Sequence, residues 1–233
     1  MKKNTCLSIA FTTLVFGFSS AAFAQATTVR VGWVQIDPQS SASSIYGPFT
    51  PTDALSLNVS KQSTLFFSVA REIEPNLEVE LALGIPPTHD NTLVVKNASA
   101  VTPGVAALNG QVAATVRQIA PTLFLNYRFD DVGGGVRPFV GAGINYTVFD
   151  NASSTAVNDK VNGGPTSIKL SSSIGLAFQV GATAQISGPW SANIVWSTAQ
   201  VSTKMTSNTL GIERNADVTM SPSVITLSVG YTF

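Results

Sequence analysis

Val224-Ile225-Thr226-Leu227-Ser228-Val229-Gly230-Tyr231-Thr232-Phe233 closes the chain with an alternation that hardly breaks. On an extended strand Ile225, Leu227, Val229, Tyr231 and Phe233 fall on one side, and Val224, Thr226, Ser228, Gly230 and Thr232 on the other. One face is apolar, the other mostly small or polar, and the strand stops on an aromatic residue. That is the pattern of a transmembrane β-barrel strand with its apolar face in lipid.

Period-two runs continue upstream, and the spacing predicts strands near 28–37, 62–73, 77–86, 117–129, 136–149, 170–186, 190–203 and 218–233. The outward sets are apolar: Leu77, Val79, Leu81, Leu83 and Ile85; then Leu123, Leu125, Tyr127 and Phe129; then Val140, Ala142, Ile144, Tyr146 and Val148. Ile174, Leu176, Phe178, Val180 and Ala182 follow, and Trp190, Ala192, Ile194 and Trp196 after them. In the first run Val29, Val31 and Trp33 face out, but Val34 and Ile36 break the rhythm.

The connections alternate in length. Residues 38–61, 87–116, 150–169 and 204–217 are long and rich in Ser, Thr, Asn and Gly, whereas Glu74-Pro75-Asn76, Asp130 to Gly135 and Ser187-Gly188-Pro189 are tight turns. Outer-membrane barrels keep long loops outside and short turns in the periplasm, so four long and three short connections predict an all-β fold, an eight-stranded antiparallel transmembrane β-barrel with both termini periplasmic. Trp190, Phe129, Tyr231 and Phe233 fall beside the short turns or the C-terminus, where an aromatic girdle belongs.

Residues 1–24 read as a signal peptide: Lys2 and Lys3 are its basic end, Leu7 to Phe18 its apolar core, and Ala22-Phe23-Ala24 its cleavage site. Residues 25–233 then form a single barrel domain. Cys6 lies in the leader, so the mature chain has no thiol for a disulfide or a metal. Without the two leader lysines eleven basic residues face thirteen acidic ones, a balance of −2 that gives no reason to expect nucleic acid. The whole sequence is 44% hydrophobic and only 11% charged, against the quarter or so usual in soluble proteins, and a surface facing lipid explains the shortage. No glycine-rich phosphate loop runs from a strand into a helix, so no cofactor is implied.

Fixing the outward sets fixes the lumen. Near the short turns the inward residues are Arg30, Glu72, Glu78, Glu80, Arg128 and Arg137, three acids and three arginines close to one level. Paired, they would plug the barrel as a charged floor; solvated, they would line a wet periplasmic mouth. Higher up, Phe66, Phe124 and Phe139 point inward among small residues and predict an aromatic-lined well. A well over a sealed floor needs another exit. Pro86 and Pro87 end the third strand and Pro121 interrupts the fourth, its partner, so ladder donors are missing on both sides of one seam. Pro121 could equally mark a bulge that bends the barrel. His89, the sole histidine, falls in a long connection with only Asp90 beside it, a poor metal or catalytic arrangement that reads as loop.

Ala120 to Phe129 followed by Val136 to Phe149, with Glu80 to His89, Gly175 to Gly181 and the terminal Gly230-Tyr231-Thr232-Phe233, resembles the OmpW family of small outer-membrane barrels. The resemblance covers nearly all of the mature chain, Arg137-Pro138-Phe139-Val140-Gly141-Ala142-Gly143 being its most specific part. It departs in the first long loop and in 97–116. It implies an eight-stranded barrel in the outer membrane of a Gram-negative cell, with a hydrophobic lumen through which small apolar compounds pass. The expected partners are outer-membrane lipid, small hydrophobic solutes and the barrel-assembly machinery, engaged through Tyr231-Thr232-Phe233. The alternative is a non-transporting surface barrel serving as adhesin, receptor or structural protein. An enzyme is not expected, since a Ser–His pair would need His89 on a strand rim beside an activated serine.

Overall fold

Fifteen strands and three short helical segments make up residues 26–233, the part described by the computed structural model; the expected leader, 1–24, lies outside the described residues. Eight strands close the lower barrel: β1 (Thr27–Asp37), β4 (Gln62–Glu74), β5 (Leu77–Gly84), β8 (Thr122–Arg128), β9 (Val136–Ser154), β11 (Ser173–Ser187), β12 (Trp190–Ala199) and β15 (Ser223–Thr232). Each pairs antiparallel with its neighbours in that order, and β15 returns to β1 through Val29↔Tyr231 and Val31↔Val229, so no edge is left open. No helix of the described residues is long and apolar enough to cross a membrane, and the crossing is made by strands.

The outward alternation is as read from the sequence. Leu125, Ile144, Leu176, Ile194 and Leu227 are all about half exposed, an arrangement that only a lipid surface makes favourable. The first strand alternates after all: Val34 is buried and Ile36 lines the lumen, so their apolar character belongs to the interior rather than to a lost register. At the lower end Trp190 stacks edge-on against Tyr231 at 4.9 Å and Tyr231 against Phe233 at 4.8 Å, with Tyr127 against Phe129 at 5.2 Å, forming an aromatic rim beside the turns. Asn76 makes the β4–β5 turn with φ +69°, and Asp131 holds the β8–β9 turn by accepting from Gly133 N and Gly135 N.

The long connections differ from the expected loops, because strands run through all four of them. β2 (Ser40–Ala42), β3 (Leu55–Val59), β6 (Thr88–Val95), β7 (Val112–Ile119), β10 (Thr166–Leu170), β13 (Val201–Thr209) and β14 (Ile212–Met220) pair in the order β3-β6-β7-β9-β10-β13-β14-β2 and extend the barrel upward. β9 carries both layers: its 19 residues span roughly 60 Å, whereas about 9–11 suffice to cross a bilayer. Two helices, α1 (Pro103–Ala106) and α2 (Ala156–Asn162), and a 3₁₀ turn at Ala98–Ala100 sit in this upper part.

The alternation inverts at the junction. In β14 Glu213, Asp217 and Thr219 face outward while Ala216, Val218 and Met220 are buried inside. Ala54, Leu55, Leu93 and Ala113 form one upper core cluster, and Ala114, Ile168, Met205 and Ala216 another. Outside the bilayer, water takes the outer face and the apolar side chains must turn inward. An outward ion pair, Arg117 Nε to Asp150 Oδ1 at 2.8 Å, lies just above Tyr146 and Val148 and marks the changeover.

Candidate functional site

The floor is built by β1, β5, β8 and β11. Arg30 Nη2 lies 3.0 Å from Glu78 Oε1 and Arg30 Nη1 2.8 Å from Glu80 Oε1, all three side chains buried. Arg128 Nη1 approaches Glu78 Oε2 at 3.4 Å. Two amides that the sequence reading did not single out complete it. Asn126 Nδ2 donates to Glu80 Oε2 (2.9 Å) and Glu78 Oε1 (3.3 Å), and Gln179 Nε2 donates to Glu80 Oε2 (3.1 Å) and Asn126 Oδ1 (2.7 Å). Two acids and two arginines therefore balance in a layer where each charge has a counter-charge and a hydrogen bond, the condition under which buried charge persists. Asn126, which donates to both acids, is 0% exposed.

Of the six charges read from the sequence, these four come together. Glu72 stays partly exposed on the lower rim, and Arg137 turns to the backbone, donating from Nε to Phe129 O at 3.1 Å and from Nη2 to Asn76 Oδ1. Its task is local: it ties the β8–β9 end to the β4–β5 turn. The inward alternation of β8 and β11 carried the signal for Asn126 and Gln179, but which polar residues meet across a barrel depends on register.

Phe66, Phe124 and Phe139 all line one cavity directly above the floor, with about 1090 Å³ of empty space, part of it open to solvent. The rings of Phe124 and Phe139 fit because facing residues are glycine. A Cβ on Gly143 would lie 2.9 Å from Phe124 Cδ1 and 2.2 Å from Leu123 O, and one on Gly181 would lie 2.7 Å from Phe139 Cζ. Gly141 makes room for the floor in the same way, 2.1 Å from Asn126 Oδ1. Some of the polar lining is paired within the wall, Asn145 Nδ2 donating to Thr122 Oγ1 at 2.8 Å and Thr147 Oγ1 to Asn145 Oδ1 at 2.7 Å, while Asn193 Nδ2 and Ser228 Oγ are buried without a partner. Higher still the lining turns apolar with Val34, Ile36, Val195, Val201 and Val224.

The same cavity borders a break in the strand ladder. Between β5 and β8 the ladder ends at Ala82↔Thr122, and it resumes between β6 and β7 at Thr88↔Arg117. Pro86, Pro87 and Pro121 fall inside this gap and have no N–H to give. Ile85 N donates to Leu65 O (3.0 Å), continuing the β4–β5 pairing one residue past Gly84, and Gln118 N donating to Pro87 O (3.0 Å) closes the upper margin. Leu83 and Ile85, whose side chains face outward, are among the residues lining this cavity, with Phe66 and Phe124. The break also divides the run expected over 117–129 into β7 and β8.

His89 corrects the expectation of a loop residue. It lies on β6, 2% exposed, with Nδ1 2.9 Å from Ser60 O. A carbonyl only accepts, so Nδ1 carries the proton and Nε2 is bare; Nε2 is buried with no partner. Burial pushes the imidazole pKa below its ordinary value. His89 lines a second cavity in the upper extension with Val116, Phe149, Val218 and Met220; Gln118 borders both this space and the well below.

The model of the family described as "OmpW family" matches residues 25–233. Outer membrane protein W of Escherichia coli (strain K12) is 30% identical over 236 residues, covering 100% of this chain and 100% of that protein. Among solved structures, the outer membrane protein OprG from Pseudomonas aeruginosa is similar with a TM-score of 0.76 at 24% identity, covering 90% of this chain and 96% of that chain. Outer membrane protein AlkL, solved in DMPC lipid bilayers, is similar with a TM-score of 0.62 at 19% identity, covering 100% of this chain and 97% of that chain. The likeness to these two structures concerns the fold.

Proposed function

The chain belongs to the OmpW family of outer-membrane barrel proteins, and on that premise we propose that it passes small hydrophobic molecules from its upper, extracellular end into the well and sideways into the membrane. Both termini lie at the lower, periplasmic end in this reading, and Tyr231-Thr232-Phe233 is the segment the barrel-assembly machinery engages. The observation that carries it is the single cavity whose floor is a paired charge layer and whose wall is missing ladder hydrogen bonds at Pro86, Pro87 and Pro121. A solute that cannot cross the charged layer without breaking buried ion pairs meets less resistance at the seam, where outward apolar residues and lipid continue the lining. Phe66, Phe124 and Phe139 give an apolar solute aromatic surface at little conformational cost. Floor glycines and paired amides keep ions out, so apolar passage and ion conduction are separate properties of the design.

The test is uptake into liposomes holding the mature chain. A small apolar probe should enter quickly without ion leak. Entry should fall when Phe66, Phe124 and Phe139 become Ser, and also in Pro121→Val, which returns an N–H to the seam. Ion conductance in the native barrel would mean an open wet mouth instead of a floor. No uptake of either probe would favour the surface-contact alternative, in which the upper extension is the working part.

A further inference from the structure

Arg214 on β14 is the residue this fold leaves unexplained. It is only 9% exposed, its Nη1 is buried without a hydrogen-bond partner, and no carboxylate among the described residues forms an ion pair with it. Its strand neighbours cannot help, because Glu213 and Asn215 alternate to the other side. Gly47 lies against its stem, a Cβ there falling 3.3 Å from Arg214 Cγ, and the Tyr46↔Asn215 bridge, with Tyr46 N donating to Asn215 O at 2.9 Å, fastens this covering segment. The guanidinium is thus held in place by its surroundings and given no counter-charge by them. A buried cation without a partner is among the costliest arrangements a fold can keep.

The space in front of it has a definite character. Arg214 lines the uppermost cavity, about 940 Å³ of empty space partly open to solvent, whose other walls are mainly apolar: Leu57, Leu93, Val105, Ile168 and Met205. Phe49, strongly exposed, stands at its edge. Leu57, Ala114 and Met205 border both this cavity and the His89 cavity beneath it, and Gln118 borders that one and the well. The three spaces follow one another along the barrel axis.

We propose that the uppermost cavity is a binding site for an amphiphilic carboxylate, an apolar chain or ring bearing one acid group, with Arg214 holding the carboxylate. A planar guanidinium fits a carboxylate through two parallel hydrogen bonds, and a single negative charge neutralises the cation without leaving an excess. The apolar walls take the rest of the molecule out of water. The inference deepens the transport reading and rests on it for direction: the acid is captured at the outer end of the axial path. Binding itself requires no transport.

The experiment measures binding of sodium octanoate and of 1-octanol, two molecules of equal chain length, to the full mature barrel in lipid nanodiscs by calorimetry, with empty nanodiscs subtracted. The native protein should prefer octanoate by about tenfold or more, and Arg214→Met should abolish that preference while Arg214→Lys keeps part of it. Val105→Trp, which fills the apolar end and leaves the cation in place, should weaken octanoate binding. Equal binding of acid and alcohol by the native barrel would overturn the proposal, as would a preference unchanged in Arg214→Met or octanoate binding unaffected by Val105→Trp. Failure here leaves uptake of an uncharged probe through the seam intact, and failure of that uptake leaves the octanoate preference measurable, so the two readings fall separately.

Discussion

Replacing Glu80 by Ala tests whether the charged layer is a floor or a rim. Glu80 is 4% exposed and takes Arg30 Nη1 at 2.8 Å, Asn126 Nδ2 at 2.9 Å and Gln179 Nε2 at 3.1 Å. An amide donor left buried and unpaired costs about 1–3 kcal/mol, and removing one member of a buried ion pair costs about 3–5 kcal/mol. These do not add: Glu78 still holds Arg30, and Asn126 and Gln179 still hold each other. The expected loss is about 3–5 kcal/mol, read as a lower urea midpoint in reversible unfolding of the barrel in lipid vesicles, with new leak to small ions in the same vesicles. Glu80→Gln keeps an acceptor and the volume, so its loss should be about 1–3 kcal/mol. A loss below about 1 kcal/mol for Glu80→Ala, the range of solvated surface pairs, would refute the sealed floor.

Other expectations follow from the same geometry. Leu125→Arg or Ile144→Arg, on the lipid side, should destabilise the barrel by about 2–4 kcal/mol in vesicle unfolding, and equal tolerance at lumen-facing Thr122 or Asn145 would mean an inverted register. Gly143→Ala meets Leu123 O and the Phe124 ring and should lower stability by about 1–3 kcal/mol; unchanged unfolding would mean the wall gives way easily. His89 has a folded pKa below its unfolded value near 6.5, so the unfolded state binds the extra proton as pH falls through that value. Hydrogen-exchange protection of β6 and β7 should therefore weaken below about pH 6.5, by at most about 1.4 kcal/mol per pH unit, and His89→Gln should remove the slope.

The alternation in Val224 to Phe233 and its upstream repeats was enough for fold class, strand number and the lipid-facing sets, because a single buried or lipid-facing side imposes a strict period of two. The three tight turns were legible from Pro, Gly and Asn, and Phe66, Phe124 and Phe139 from being large apolar residues on an otherwise small, polar side. The upper strands were hidden for a physical reason. β13 and β14 carry Ser, Thr and Asn on faces that meet water, so their apolar contrast is weak, and it runs opposite to that of the membrane layer. His89 therefore read as loop, although its strand buries it.

The sequence by itself determined which residues face in and which face out, since that is a property of one strand and its solvent. Only the tertiary structure decided which inward residues meet. Arg30 joins Glu78 and Glu80 across β1, β4 and β5, Gln179 reaches Asn126 across β9, and Arg137 finds the turn backbone instead of an acid. It alone decided that the prolines of two strands face one unpaired gap and that Arg214 is enclosed without a counter-ion. Those are facts of register and closure, set by pairings between residues as much as a hundred or more positions apart, and no local pattern encodes them.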